Sequence, residues 1–150
     1  MMKNRIEVFF YKPHLEDLWF RQSMMADPET MEYNRAWGGT IPFPYEKWAE
    51  WYDNWVQNPN KRFYRYIATG KSRSFVGEAA YHYDPDEGLY LADVIIAAQS
   101  RRQGFGKACL QMLWGSRYTI TGCARPGNLL RTAWKSGRAR RNKTHTPLHG

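Results

Sequence analysis

The residue types and spacing most suited to chemistry lie in a short glycine-containing loop, residues 101–106, which precedes a predicted helix. The helix is predicted because apolar residues follow at helical spacing: Phe105, Ala108, Cys109, Met112 and Leu113. A loop that enters a helix presents free backbone N–H groups and the positive end of the helix dipole, which suit a phosphate group. The loop also supplies glycines and cations: Arg101, Arg102, Gln103, Gly104, Phe105, Gly106 and then Lys107. A phosphate-binding loop is therefore one interpretation, and a loop with solvated cations is the other.

Two common phosphate-loop patterns do not fit these residues. The P-loop has four residues between its glycines and Ser or Thr after its Lys, whereas one residue separates Gly104 from Gly106 and Ala108 follows Lys107. The dinucleotide fingerprint needs a third glycine where Cys109 stands, and it belongs to a parallel βαβ unit. A nucleotide site of either kind is excluded.

The elements that must position this loop are three helices and four strands. β-branched and aromatic residues predict strands over residues 5–12, 62–68, 74–83 and 89–97. Helical spacing predicts helices over residues 14–25 and 45–56, and a third from Phe105 onward. The turn sequence at residues 84–88 (Asp-Pro-Asp-Glu-Gly) predicts that the last two strands form an antiparallel hairpin leading into the loop.

The second helix carries an aromatic face that is predicted to be core rather than binding surface. Its members recur at helical spacing: Tyr45, Trp48, Trp51, Tyr52, Trp55 and Val56. Acidic residues lie between them, so the helix is amphipathic and has one face to bury.

Length and composition limit the class of protein. A chain of 150 residues has the size of one domain, and its 43% hydrophobic and 16% aromatic content excludes a wholly disordered polymer. No segment approaches the roughly 18 apolar residues of a membrane span, and no signal peptide is evident, so we expect a soluble, cytoplasmic protein. With Cys109 and Cys123 as the only cysteines, neither a disulfide framework nor a zinc site is predicted, and no metal is expected.

The strand Val94-Ile95-Ile96 followed by Arg101-x-x-Gly104-x-Gly106 and an amphipathic helix resembles the acetyl-CoA signature of the GNAT superfamily of N-acetyltransferases. The upstream order of strand, two helices and three strands is also similar to that family, and the resemblance covers about residues 5–113. It implies an α/β fold with a mixed, mainly antiparallel sheet flanked by helices. It also implies that acetyl-CoA is the co-substrate.

The resemblance assigns cofactor-binding roles. Main-chain groups of Val94, Ile95 and Ile96 are expected to pair with the pantetheine arm like an added strand. The N–H groups from Arg102 to Lys107 are expected to cradle the pyrophosphate, with Arg101 at the first motif position. In this family the fourth strand bulges and splays from the fifth, and an amine attacks the thioester directly in a ternary complex.

The amine must lose a proton, so a base is expected near the presumed thioester. Glu78 and Asp93 are the predicted catalytic residues because they lie on the two neighbouring strands. His82 is a weaker candidate, Tyr90 could order a water molecule, and His14 is interpreted as a helix-start residue. For each, a polar residue with a purely structural role is the alternative.

The end of the chain departs from the family pattern. Residues 1–112 contain 14 Lys and Arg and 14 Asp and Glu, whereas residues 113–150 contain 8 Lys and Arg and no acidic residue, which gives the net charge of +8. A fifth strand could be reduced to residues 118–121, and residues 128–135 could form a short helix, so the C-terminal strands are predicted to be incomplete. A nucleic-acid-binding tail, a divergent terminus and a reading-frame change could each explain this ending, and we favour the frame change. The predicted division is therefore an acetyltransferase-like domain, 1–113, and a basic atypical segment, 114–150.

The function predicted from these observations is transfer of an acetyl group from acetyl-CoA to a primary amine. The acceptor is expected to be a small molecule or a peptide, selected at the loop of residues 37–44 and the aromatic second helix. A membrane partner is not expected, nucleic acid is not favoured, and a homodimer is left open. The alternative is a non-catalytic binding protein whose basic tail contacts nucleic acid.

Overall fold

The computed structural model describes residues 7–70, 74–115 and 130–132, and within these ranges it confirms the predicted mixed α/β architecture. The strands are β1 (Val8–Tyr11), β2 (Arg62–Thr69), β3 (Ser74–Asp84), β4 (Leu89–Ile96) and β5 (Leu130–Thr132). The helices are α1 (Leu18–Ala26), α2 (Trp48–Trp55) and α3 (Phe105–Gly115). Short 3-10 turns occupy Leu15–Asp17, Glu32–Trp37, Tyr45–Lys47 and Ala98–Ser100.

The five strands form one sheet in the order β1-β2-β3-β4-β5. The pairs β1–β2, β2–β3 and β3–β4 are antiparallel, and β5 joins β4 in parallel. The predicted hairpin between β3 and β4 is confirmed. Its turn closes through a hydrogen bond from the Gly88 N–H to the Asp84 carbonyl at 2.8 Å, and Gly88 adopts the positive φ of 66° that glycine tolerates best.

The two faces of the sheet pack against different helices. Tyr64, Tyr66, Ala80 and Ile95 belong to a core cluster with residues of α1 and α2. Ile67, Val76, Ala79 and the α3 residue Cys109 form a second cluster on the opposite face. The alternation of side chains along the strands thus divides the site residues between two sides.

The aromatic face of α2 is core, as predicted, with one exception. Trp48, Trp51 and Val56 are buried, and Tyr52 and Trp55 pack partly buried against the same cluster. The prediction was wrong for Tyr45, which is 71% exposed. Tyr45 begins a separate 3-10 turn ahead of α2, so the helical spacing does not carry it onto the buried face.

The short helix predicted over residues 128–135 was wrong at Leu130–Thr132, which form β5. The residues Tyr90, Leu91 and Ala92 of β4 offer pairing positions to Leu130, Arg131 and Thr132. Pairing with an open sheet edge thus overrides local helix propensity. The predicted stub of a fifth strand at residues 118–121 lies outside the described residues. Helix α3 continues to Gly115, two residues past the predicted domain boundary at residue 113. Nowhere in the described ranges does a helix have the length and apolar character that crossing a membrane requires.

Candidate functional site

The glycine-containing loop has the predicted form of a tight turn at a helix N-terminus. Arg102 and Gly104 have positive φ angles of 63° and 86°, and α3 begins at the next residue, Phe105. The Ala108 N–H donates to the Gly104 carbonyl at 3.1 Å, which closes the first turn of α3. The N–H groups of Phe105, Gly106 and Lys107 therefore lie in the part of the helix where no preceding carbonyl is available to accept them. This geometry suits an anion.

Beside the loop, the C-terminal half of β4 has one edge that β5 does not cover within the described residues. β5 pairs with Tyr90, Leu91 and Ala92, and its described part ends there. Across β3, the register runs without a shift from Leu89 to Ile96, so the predicted bulge in this strand does not appear in its pairing with β3. The register shift lies instead between β2 and β3, at Ile67 and Ala68.

The main-chain groups of this half-strand alternate between β3 and the uncovered edge. The Ala97 N–H donates to the Val76 carbonyl at 2.9 Å, and the Ile95 carbonyl lies against Gly77 of β3. Because successive residues of a strand direct these groups to opposite sides, those of Val94 and Ile96 face away from β3. The edge beside the loop is thus formed by two of the three residues predicted for the pantetheine arm.

Arg101, the first residue of the motif, binds main-chain carbonyls. Its Nε donates to the Ile96 carbonyl at 3.1 Å. Its Nη1 donates to the Glu29 carbonyl at 3.0 Å, and its Nη2 donates to the Thr30 carbonyl at 2.8 Å. Arg101 and Arg102 also line an open depression with Glu29, Glu32 and Ala98.

Glu78 is fully buried and its carboxylate is paired on both oxygens. Arg21 Nη1 donates to Oε1 and Oε2, each at 2.6 Å, and the Tyr64 hydroxyl donates to Oε2. The Arg21 guanidinium is itself buried, with its central carbon 4.3 Å from the ring centre of Trp51 and 5.2 Å from that of Phe43. Burial opposes the charge of Arg21, but the neighbouring Glu78 outweighs this and raises the pKa of Arg21.

Asp93 lies on the same sheet face as Glu78, on the neighbouring strand and two residues further from the loop end of β4 than the Ile95 position that Glu78 faces. Ala80 pairs with Asp93 and Glu78 pairs with Ile95, which puts both acids on the face that α1 and α2 cover. Asp93 is half-buried, directly before Val94.

Tyr33 packs against the same core cluster, and its pKa is raised first by burial and then by the charges of Glu78 and Asp93. Tyr33 and the two acids therefore share one electrostatic environment.

Sequence comparison gives the family. The chain matches the Acetyltransferase (GNAT) family over residues 20–114, which is more than half of its length. The chain belongs to the GNAT family. No curated protein matches it in sequence.

Solved structures of GNAT enzymes share the fold at low sequence identity. A spermidine N-acetyltransferase from Vibrio cholerae, in complex with CoA and spermine, has a TM-score of 0.57 and 13% identity over 75% of this chain and 63% of that one. An acetyltransferase of the GNAT family from Bacillus anthracis has a TM-score of 0.52 and 16% identity over 72% and 63% of the two chains. An acetyltransferase from Trypanosoma brucei has a TM-score of 0.54 and 14% identity over 93% and 97%. The chain thus spans less than two thirds of the length of the first two.

Within this GNAT fold, the other residues considered from the sequence have clear places. Tyr90 lies on the opposite sheet face from Glu78 and Asp93, against Tyr81 and Tyr83, and its water-ordering role stays a prediction. The alternation of side chains along β4 separates it from the acids. His82 stacks edge-on against Trp55 with ring centres 5.6 Å apart, at the far end of β3 from the loop.

His14 is a helix-start residue, as predicted. Its N–H donates to the Asp17 carboxylate at 2.8 Å, and its carbonyl accepts from the Asp17 N–H at 3.0 Å. It therefore takes part in capping the turn that precedes α1.

The sequence did not predict that Arg21 and Tyr33 lie near Glu78 and Asp93. Arg21 occupies a buried position of α1, where the apolar pattern predicts an aliphatic residue, while Trp19 of the same helix is 53% exposed. The available signal was indirect: an acid, Glu78, flanked by the apolar residues of 75–81 in β3 needs a buried cation or donor.

Proposed function

We propose that this chain transfers an acetyl group from acetyl-CoA to a primary amine by direct attack in a ternary complex. The observation that carries the proposal is the edge of β4 at Val94 and Ile96, which no described residue pairs with, lying shortly before a glycine-containing helix N-terminus. The edge offers main-chain partners to an extended amide-containing arm, and the helix N-terminus offers N–H groups to the pyrophosphate. Family membership supports the same cofactor.

The proposed contacts to acetyl-CoA are made chiefly by the main chain. Val94 and the N–H of Ile96 pair with the pantetheine arm, since the Ile96 carbonyl already accepts from Arg101. Ile95 between them anchors β4 to β3. The N–H groups from Arg102 to Lys107, including those of Gln103, Gly104, Phe105 and Gly106, surround the pyrophosphate. The side chains of Arg102 and Lys107 are exposed and add charge beside it.

The bound co-substrate supplies an activated acetyl thioester. In the proposed reaction, the amine nitrogen forms a bond to the carbonyl carbon, the carbon–sulfur bond breaks, and CoA leaves as the thiolate. The amine proton passes to a base of this chain, directly or through water, and the thiolate takes up a proton. No covalent intermediate on the protein is required.

Of the two predicted bases, we favour Asp93. The carboxylate of Glu78 already accepts bonds from Arg21 and Tyr64 and is 1% exposed, so proton uptake from an amine would break a buried ion pair. Asp93 is half-buried and adjoins the strand residues assigned to the pantetheine arm. Glu78 then has the role of holding the sheet and α1 together beneath the site.

The acceptor is proposed to enter from the side of residues 27–44. Gly38 and Gly39, with φ of 107° and 73°, turn the chain there, and Trp37 is 54% exposed beside them. The predicted contribution of Trp48 and Trp51 to acceptor selection is indirect, because both are buried core residues. The complex of a GNAT neighbour with spermine supports an amine acceptor.

Isothermal calorimetry with CoA tests the proposal, using wild type, Gly104→Glu and Lys61→Glu. Gly104→Glu brings a negative charge and a side chain into the loop at a positive φ, so CoA affinity is expected to fall below detection. Lys61→Glu makes the same kind of change at another residue of positive φ, 55°, on the remote start of β2, and should bind as wild type does. Equal affinity in all three proteins would refute the assignment.

A further inference from the structure

The guanidinium of Arg101 joins two segments that are remote in sequence. Its Nε donates to Ile96, the last residue of β4, and its two terminal nitrogens donate to Glu29 and Thr30 in the turn after α1. The distances of 2.8 to 3.1 Å are those of well-formed hydrogen bonds. Three carbonyls of fixed position match the rigid fork of an arginine better than a single ammonium could.

A second link ties the same two segments together. The Thr30 hydroxyl accepts from the Ala98 N–H at 3.0 Å and donates to the Asp27 carboxylate at 2.6 Å. Asp27 also accepts from the N–H groups of Glu29 and Thr30, at 3.2 and 3.3 Å. Thr30 is completely buried. The turn at residues 27–30 is therefore braced internally, and it holds the carbonyls of Glu29 and Thr30 in place for Arg101.

The braced turn carries the acceptor side of the proposed site. It continues into Glu32–Trp37, which contains the core-packed Tyr33 and the exposed Trp37. We propose that Arg101 is a positioning residue that fastens this acceptor-side segment, residues 27–37, to the end of the cofactor strand. The proposal departs from the role that the family resemblance gives to the first motif residue, and its functional consequence depends on the proposed function. Loss of Arg101 should displace the acceptor side while leaving the main-chain cofactor contacts in place.

Hydrogen exchange of the full chain tests the fastening without any substrate. The variants are Arg101→Met, which removes both the charge and the planar guanidinium, and Arg101→Lys, which keeps only the charge. Arg102→Met is the matched control. Both Arg101 variants should exchange the amides of residues 27–37 and of Ala98 at least about tenfold faster, because three charge-assisted bonds are lost or reduced. Arg102→Met should leave these rates unchanged. If Arg101→Met does not fold, Arg101→Lys supplies the same comparison.

Calorimetry with CoA separates positioning from phosphate binding. Arg101→Met is expected to lower CoA affinity by less than about threefold, and Arg102→Met by more, since of these two arginines only Arg102 has its side chain assigned to the pyrophosphate. Once an amine substrate is in hand, Arg101→Lys should raise the KM for the amine more than the KM for acetyl-CoA.

Two results would overturn the fastening. One is wild-type exchange in residues 27–37 of Arg101→Met. The other is a loss of CoA affinity in Arg101→Met that exceeds that of Arg102→Met and is restored by Arg101→Lys, which is the signature of a phosphate ligand. Failure of wild type to bind CoA would instead refute the proposed function, and the exchange comparison would still decide whether Arg101 fastens the segment.

Discussion

Two carboxylates of the same sheet face have different environments, and this difference decides what each can do. Glu78 is enclosed with Arg21 and Tyr64 beneath the aromatic rings of α2, whereas Asp93 is half-buried one strand away. A carboxylate that neutralises a buried arginine stabilises the fold only while it stays charged. The two carboxylates therefore differ in burial and in what a change of charge would cost the fold.

Replacing Glu78 is expected to reduce stability. Glu78→Gln keeps the shape and leaves the Arg21 charge buried without its counter-ion, so the free energy of unfolding should fall by about 3 to 5 kcal/mol. Urea denaturation measures this change in the free energy of unfolding. Arg21→Met combined with Glu78→Gln, which removes both charges, should recover part of the loss. A single variant as stable as wild type would show that the pair does not support the fold.

Replacing Asp93 is expected to reduce turnover. Asp93→Asn cannot accept the amine proton, so kcat should fall by roughly 100-fold or more with the loss concentrated at lower pH, while CoA affinity and stability stay near those of wild type. Steady-state kinetics against pH, with calorimetry as the control, measures both. Unchanged kcat in Asp93→Asn would exclude this residue as the base.

At this scale the sequence pointed to the two strand acids but not to how differently they are buried. The sequence places Glu78 and Asp93 on two neighbouring strands, and their common face follows from the observed register. The cation that pairs with Glu78 is Arg21 of α1, which is 57 residues away in sequence. The helical pattern of α1 gives no sign that a charged residue faces inward there. Pairing across a core is a tertiary contact, which local patterns do not encode.

At the scale of elements, the contact between β3 and β4 depends on a glycine. A Cβ at Gly77 would collide with the Ile95 carbonyl and approach Ile96 Cδ1 to 3.0 Å. Gly77 therefore lets β3 lie close against Ile95 and Ile96 of β4.

Gly77→Ala is expected to push these strands apart. The free energy of unfolding should fall by about 1 to 3 kcal/mol, as for overpacking in a core, and CoA affinity should fall with it because Val94 and Ile96 move. Gly39→Ala is the control: it has open space around the added Cβ but a positive φ of 73°, so only conformational strain is added, away from the strand. Equal CoA affinity in Gly77→Ala and wild type would contradict the proposed role of this edge.

The packing of α3 on the sheet can be followed through Cys109. Burial raises the pKa of this thiol to about 12, so at neutral pH it is protonated and shielded by the second core cluster. In a Cys123→Ser background, Cys109 should react with a disulfide reagent only as fast as the protein unfolds, and promptly in denaturant. Fast reaction in native buffer would mean that α3 does not stay packed in solution.

The elements themselves were largely predictable, since three central strands, the hairpin turn and α3 all follow from period and turn chemistry. The 3-10 turns ahead of α1 and α2 were not predictable in this way. Helical spacing includes Leu15 and Tyr45 in longer helices, but the chain enters each helix through a tighter turn, and both side chains are left exposed.

At the scale of the whole molecule, the sheet reaches into the part of the chain where the sequence is least like the family. All of the net charge of +8 comes from residues 113–150, yet Leu130–Thr132 of this segment pair in parallel with β4. Such pairing covers the N-terminal half of the β4 edge, and among the described residues none pairs with the other half, where acetyl-CoA is proposed to bind. The predicted division into domain 1–113 and tail 114–150 therefore depends on how much β5 contributes to folding.

Proline substitutions in β5 measure that contribution. Successive strand residues direct their N–H groups to opposite sides, so one of Arg131→Pro and Thr132→Pro must remove an N–H that faces β4. The more damaging variant should lower the free energy of unfolding by about 1 kcal/mol or more and speed amide exchange at Tyr90, Leu91 and Ala92. Arg131→Val, which suits a strand, is the control and should leave both unchanged. If both proline variants unfold at the same urea concentration as wild type, β5 adds nothing to stability, and the folding unit ends with α3, as the division at residue 113 predicts.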